Sequence, residues 1–387
     1  MTDATQTDIA QAYAPVRAAP RSGYLFGPVF DFFALGGGSL IVCGLIALAL
    51  PKGIPNLQLA VLITVLMTLI NQPHFAHSYQ IFYRGFREKA FGDSYARDLR
   101  VRYIFAGLLV PALLIAGLAF GVVSGSARVL SCGANLMFFL VGWHYVKQGY
   151  GILIVDSVQK RIMFSTAAKR ILRANGYACW LVAWFGLNHA LAKATLYLGV
   201  TYYTLPLPTI VYQAAIALAA GTTLSALTVL FRRCREARSL PWNGVVAYFS
   251  ALYVWVVFVR INPLVLALVP TFHSLQYLAV VWRYQLNAAG MQSGSRALPL
   301  LDRHWAPGAR RNFALFVGLG ILLGYLGFVG LPLAVDASIA YDKQVWGSSL
   351  AVFLLYIFIN VHHYFLDNVM WRRGNPDIQK HLFSRAR

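Results

Sequence analysis

Apolar runs of about 20 residues, each closed by charged or turn-forming residues, recur along almost the whole chain. Ten of them cover roughly 27–50, 57–83, 103–125, 129–155, 175–198, 208–231, 243–262, 264–283, 312–335 and 345–371. A run of that length, wound as a helix rising about 1.5 Å per residue, crosses a hydrocarbon core of about 30 Å with every backbone group satisfied internally. The pattern therefore predicts an all-α polytopic membrane protein of about ten transmembrane helices. The seventh and eighth runs are separated by almost nothing (Ile261, Asn262, Pro263), which predicts a tight helical hairpin. Residues 158–173, VQKRIMFSTAAKRILR, are basic and amphipathic and are expected to lie along the interface. Residues 284–311 form the one long loop, its apolar stretches too short to cross. The organisation is thus a polar segment over 1–25, one transmembrane domain over 26–372 and a basic tail over 373–387.

Charge placement orients this array, because loops on the cytoplasmic side retain Lys and Arg. Of the 33 Lys and Arg residues, 27 fall on one side of the alternating spans, five (Lys52, Arg128, Lys193, Arg260, Lys343) on the other, and Lys147 lies within the membrane. The split places both termini in the cytoplasm and points to the inner (cytoplasmic) membrane of a cell. It also gives the net charge of +20 a meaning other than nucleic-acid binding, and no nucleic-acid partner is expected. Composition agrees: 58% hydrophobic and 12% charged residues, with a mean hydropathy of +0.59, exclude an ordinary soluble enzyme. Cys43, Cys132, Cys179 and Cys234 share no close spacing, so neither a disulfide framework nor a zinc knuckle is suggested. The first 25 residues lack the basic start and short apolar core of a cleavable signal, so the first span is expected to stay. No nucleotide-binding motif and no internal repeat is present.

Ionisable groups inside a bilayer are costly and mark sites, so their depths carry information. His74 and His77 precede Arg84 by ten and seven residues, His273 precedes Arg283 by ten, and His362 and His363 precede Arg372 by ten and nine. His144 lies somewhat deeper, twelve residues before Asp156. Six histidines on four helices running the same way thus share one layer, roughly 10–15 Å inside the cytoplasmic boundary. Asp31 reaches a similar level from the first span. A lone intramembrane histidine is ordinarily a helix-to-helix hydrogen bond; six in one layer have the pattern of a site. His189 lies toward the outer half and reads as structural, and His304 and His381 sit in basic loops and read as solvated.

Local spacing adds detail. His74 and His77 are neighbours on one helix face, with Pro73 able to kink the helix beside them. Lys147 and Gln148 sit one turn below His144, and Gln276 and Tyr277 one turn below His273, where they can hold an imidazole or substrate. Asn360, His363 and Asp367 share a face, with His362 turned about 100° away, and a carboxylate one turn from a ligating histidine is a ligand or its orienting partner. The candidate ligands are His74, His77, His144, His273, His362, His363 and Asp367, supported by Gln276, Tyr277, Asn360 and Lys147. Neutral imidazoles with one carboxylate suit nonhaem iron, one ion or two. A site buried in hydrocarbon suits dioxygen and a lipophilic substrate such as an acyl lipid, an isoprenoid or a carotenoid, with membrane lipids as surroundings. Electrons would come from a donor protein or quinol unless the reaction needs none.

These motifs resemble two groups of membrane enzymes. Fatty-acid desaturases and hydroxylases carry histidine boxes of the HxxxH and HxxHH type around a two-iron centre; here an HxxH (His74, His77) and an HH pair (His362, His363) stand, without an HxxxH. On that pattern two irons would require Asp367 or Asp31 to contribute. The phrases Pro-His-Phe-Ala-His (73–77), Phe-His-Ser-Leu-Gln-Tyr (272–277) and Asn-Val-His-His-Tyr-Phe-Leu-Asp (360–367) are similar to those of bacterial membrane beta-carotene cleavage dioxygenases, the Brp/Blh-like group, whose dispersed histidines hold one iron. Either resemblance implies an O2-dependent oxidoreductase, a monooxygenase, dioxygenase or desaturase, and leaves the substrate open. Two other classes stay open: a haem-binding redox subunit with paired axial histidines, and a proton-coupled transporter using the same histidines with Asp31, Lys147 and Asp367. A reporter fused after Arg387 is expected to read as cytoplasmic; an external signal would overturn the orientation.

Overall fold

The computed structural model describes residues 23–49, 57–190, 194–262, 264–292, 307–372 and 374–383. Most of the polar N-terminal segment, Lys52, Lys193, Pro263, the loop residues 293–306 with His304, Arg373 and residues 384–387 lie outside the described residues. In chain order the helices are α1 (Pro28–Leu48), α2 (57–83), α3 (Phe86–Phe91), α4 (Arg97–Val123), α5 (Ala127–Gln159) and α6 (Thr166–Ala190). A hairpin of β1 (Ala194–Tyr197) and β2 (Val200–Tyr203) follows. Then come α7 (Thr209–Ala237), α8 (Trp242–Ile261), α9 (Val265–Gln292), α10 (Arg310–Ser338), α11 (Lys343–Trp346) and α12 (Leu350–Met370).

Eight of these among the described residues (α1, α4, α5, α7, α8, α9, α10 and α12) are long and apolar enough to cross a membrane, so the chain is a multi-pass integral membrane protein. Two further helices have comparable length: α2, interrupted by Asn71, Gln72, His74 and His77, and α6, which opens on Lys169, Arg170 and Arg173. Burial separates inner from outer helices. The apolar stretches of α9 and α12 are 61% buried and that of α5 50%, against 22% for α4 and α7 and 17% for α10. The outer helices present Leu113, Phe120, Leu218, Leu224, Phe231, Leu319 and Leu322 outward, as lipid-facing surfaces do.

Three expectations about boundaries change. Residues 158–173 are not a separate interfacial helix. They are divided among the end of α5, a turn and extended link over 160–165, and the first two turns of α6. The run over 175–198 stops being helix by Ala190, because TLYLGVTYY alternates β-branched and aromatic residues around Leu198-Gly199, both at positive φ as a tight hairpin turn requires. This hairpin buries Tyr202 with Trp346 and Leu350. The loop expected to begin at 284 is shortened, since α9 continues to Gln292. The tight α8–α9 connection is present: Asn262 is extended, and its Oδ1 accepts from the Leu264 amide at 3.0 Å.

Five helices contain a π-helical turn (33–37, 67–71, 105–109, 254–258 and 326–330). In α2, α4 and α10 a proline (Pro73, Pro111, Pro332) stands two residues after it. Proline lacks an N–H and crowds the carbonyl four residues back, and widening the preceding turn relieves that clash. In α1 the break falls at Gly36, whose backbone leaves helical geometry (φ 158°, ψ −24°) and frees the Leu35 carbonyl. Gln276 Nε2 of α9 donates to that carbonyl at 2.5 Å and to Ser250 Oγ of α8 at 3.1 Å, tying three helices at one point. The start of α1 is held by Asp31, whose carboxylate accepts the Leu25 and Phe26 amides at 2.6 and 3.0 Å. Lys89 donates to the Ile81 carbonyl at 2.9 Å and lies 3.5 Å from Asp377, tying the chain after α12 to the end of α2. A Cβ at Gly36 would stand 2.3 Å from Ser250 Oγ and 3.0 Å from the Val246 carbonyl. Gly36→Ala is therefore expected to lower stability by about 1–3 kcal/mol, read as a lower thermal midpoint in detergent; an unchanged midpoint would show that α1 and α8 separate freely there.

Candidate metal centre

Four of the predicted histidines meet, one each from α2, α5, α9 and α12. Their rings form a closed circuit: His74 to His363 at 4.8 Å between centroids, His363 to His144 at 5.1 Å, His144 to His273 at 4.8 Å and His273 to His74 at 5.5 Å. Asp367, one turn beyond His363, completes the group. Its Oδ2 lies 3.5 Å from Nε2 of both His144 and His363. His74, His273, His363 and Asp367 are each at most 5% exposed. Two overlapping sets have donor atoms within 4.8 Å of one another: His74, His273 and His363, and His144, His363 and Asp367.

The atoms that converge have no hydrogen-bond partner. They are Nε2 of His74, His144 and His363, both ring nitrogens of His273, and Oδ2 of Asp367, all buried. Each unpaired buried donor or acceptor costs roughly 1–3 kcal/mol, so one accidental case is tolerable and a cluster of them on five neighbouring side chains calls for a shared partner. Donor atoms at about 2.0–2.2 Å from a shared ion stand some 3–4 Å apart, too far for a good hydrogen bond and right for common ligation. The 3.5 Å separations at Asp367 have that character.

The opposite edges of these groups are held by partners that set their protonation. His74 Nδ1 bonds to the Asn71 carbonyl, an acceptor only, so this nitrogen carries the proton and Nε2 keeps its lone pair. The carbonyl sits at the end of the π-helical turn before Pro73, so the break in α2 positions the ligand's partner. Ser274 Oγ lies 2.8 Å from the same nitrogen and donates to Asn71 Oδ1 or the Pro270 carbonyl. His363 Nδ1 is 2.7 Å from Ser78 Oγ, which is 2.8 Å from Tyr277 OH, and Tyr277 donates to Asp367 Oδ1 at 3.0 Å. With its hydroxyl proton committed to Asp367, Tyr277 accepts from Ser78, which in turn accepts Nδ1–H of His363. One chain of bonds therefore leaves both His363 Nε2 and Asp367 Oδ2 as open acceptors. His273 is positioned by stacking on Tyr145, centroids 3.8 Å apart and planes 16° from parallel.

Two predicted ligands lie elsewhere. His362 faces away from the circuit as its 100° offset requires, with Nδ1 at 2.8 Å from Tyr79 OH and Nε2 at 3.0 Å from the Ala106 carbonyl, so both nitrogens are engaged. His77 stacks on Phe316 at 4.2 Å, bonds Gln80 at 2.8 Å and packs against Gly320; it belongs to the α2–α10 contact. Among the supporting residues, Tyr277 is in the network, and Asn360 lines the space between the imidazoles while donating to the Tyr356 carbonyl at 2.8 Å. Gln276 pins backbone rather than an imidazole, and Gln148 bridges it to the His273 carbonyl. Lys147 contacts Asn368 Oδ1 at 3.2 Å. His189 packs on Tyr212 and His381 on Tyr284, both away from the centre. Ser78 and Ser274 are additions to the predicted set, and Ser78 stands one turn from His74, the one local signal for it; the Asn71 carbonyl is one that the Pro73 kink opens.

The space among the four imidazoles is about 10 Å3. No family model, curated protein or solved structure matches the chain. Ser78→Ala, which removes the partner of His363 Nδ1, is expected to weaken metal binding about 10–100-fold in competition with a chelator. His77→Ala and His362→Ala are expected to keep full metal content, and a loss in either would show that the ligand set extends beyond the circuit.

Proposed function

We propose that the protein is a membrane metalloenzyme that uses one nonhaem iron, held by His74, His144, His273, His363 and Asp367, to carry out O2-dependent oxidation of a lipophilic substrate as an oxygenase or desaturase. The observation that carries this reading is the meeting of five buried side chains from four helices, with partnerless donor atoms in two overlapping sets that share His363. Imidazole suits zinc, copper and iron, and the set of His144, His363 and Asp367 has the two-histidine, one-carboxylate composition of nonhaem iron oxygenases. A single ion is favoured because the two overlapping donor sets share His363, whose one open nitrogen serves one ion at a time.

Iron in such a site supplies dioxygen activation at positions that the protein leaves open. The chain's own residues do the rest. Ser78, Asn71, Ser274 and Tyr277 fix which nitrogen or oxygen faces inward, and Asp367 supplies the one negative charge that offsets a cation in the dry interior. Phe75, Val141 and Tyr364 wall the space with apolar surface and keep water from it. The topology that goes with this reading is ten spans in the inner membrane with both termini cytoplasmic, which sets the centre near the cytoplasmic side. Reducing equivalents, where the reaction requires them, come from a donor protein or quinol, since the sequence has no flavin, nucleotide or iron–sulfur motif.

Elemental analysis and an absorption spectrum of detergent-purified protein test this directly. About one equivalent of iron without a Soret band is expected, with most of it lost in His74→Ala, His144→Ala, His273→Ala and His363→Ala. Metal-free wild-type protein, or undiminished iron in all four variants, would overturn the assignment.

A further inference from the structure

One cavity opens onto the centre. Its volume is about 480 Å3, in the range of small-molecule sites, and His144, Tyr277 and Asp367 form its inner end. Along α5 its wall runs from His144 through Lys147, Gly151 and Val155 to Gln159, residues spaced to share one helix face. Fifteen residues of helix make that face about 22 Å long, so the cavity is a furrow rather than a bowl. Leu35, Ile152, Val280 and Leu382 give it apolar sides.

Two cations, Lys147 and Arg372, stand in this wall. Lys147 is one turn from His144 on α5, and Arg372 follows Asp367 by five residues just past α12. Three carboxylates also reach the cavity, and each is already engaged. Asp31 accepts two backbone amides. Asp156 pairs with Lys160 at 2.9 Å and accepts the Gly244 amide at 2.9 Å, and Asp367 belongs to the centre. Among the described residues neither Lys147 nor Arg372 has a carboxylate partner, and Lys147 has a single neutral contact, Asn368. Two cations without a carboxylate partner in one long cavity with apolar side chains match an anionic head group on a hydrocarbon chain.

We infer that this cavity binds a single-chain amphiphile whose carboxylate or phosphate head group is held by Lys147 and Arg372, with its chain lying among the apolar side chains of Leu35, Ile152, Val280 and Leu382. The inference deepens the proposed function and rests on reading the histidine cluster as the reaction centre. It narrows the substrate class from any lipophile to an anionic one, and it excludes neutral carotenoids and other uncharged hydrocarbons.

Full-length protein in a neutral maltoside detergent provides the test, with cis-parinarate as the fluorescent fatty-acid probe and its methyl ester as the uncharged control. Saturable binding of the acid is expected, weakened about tenfold or more in Lys147→Met and in Arg372→Gln, and largely retained in Lys147→Arg. The methyl ester should bind more weakly and equally to all four proteins. Displacement by oleate or by oleoyl lysophosphatidate identifies the head group as carboxylate or phosphate. Equal affinity for acid and ester, or undiminished acid binding in both Met and Gln variants, would overturn the inference. Iron measured in the same samples separates the two readings: charge-dependent binding without iron sinks the metal centre alone, and iron without charge-dependent binding sinks the head-group site alone.

Discussion

Four buried imidazoles line a space of about 10 Å3, with the Asp367 carboxylate 3.5 Å from two of them, and the rest of the molecule is arranged around the cost of that arrangement. Apolar burial alone would push His74, His144, His273 and His363 apart or turn each toward a carbonyl, as His362 is turned toward Ala106. They are held inward because their other edges are occupied. The Asn71 carbonyl takes the His74 proton, Ser78 takes that of His363, Tyr145 stacks on His273, and Tyr277 holds Asp367 by the oxygen that points away from the centre. Side chains oriented in this way could hold a metal ion.

The irregularities of the helices serve the same end. A helix with an unbroken ladder offers no backbone acceptor to a side chain, yet His74 and Gln276 both use carbonyls at helix interruptions: Asn71 at the π-helical turn before Pro73, and Leu35 at the glycine break of α1. In lipid such freed carbonyls must find donors within the protein, and here the donors are the ring and amide of residues on or beside the centre. The breaks in α1 and α2 are therefore part of how the site is held together. The outer helices α4, α7 and α10 contribute none of the five clustered side chains and present apolar side chains outward, while α5, α9 and α12 are the more buried.

Access follows from the same geometry. The four imidazoles close the centre on one side, while His144, Tyr277 and Asp367 are also reached from the furrow along α5. The furrow reaches the centre at the edge formed by α5 and α12, where Lys147 and Arg372 line it. The two acids further along that wall are engaged, Asp31 by backbone amides and Asp156 by Lys160 and the Gly244 amide.

Much of this was legible in the chain itself. Apolar runs and the alternation of Lys and Arg specify a helical membrane protein, because the bilayer imposes length and backbone satisfaction on each segment independently of the others. The shared depth of six histidines followed from the same arithmetic, as did the offset of His362 from His363 on one helix. Tertiary structure decided which of the six meet. Depth and helical phase say how far along and on which face a side chain lies, but not which neighbour that face is packed against. His77 points to α10 and His362 to α4, while His74, His144, His273 and His363 point to one another. The Asn71–His74 bond and the hairpin at Leu198-Gly199 are local, whereas the bonds of Ser78 to His363 and Tyr277 and the diversion of Gln276 to the Leu35 carbonyl depend on contacts between residues far apart in sequence.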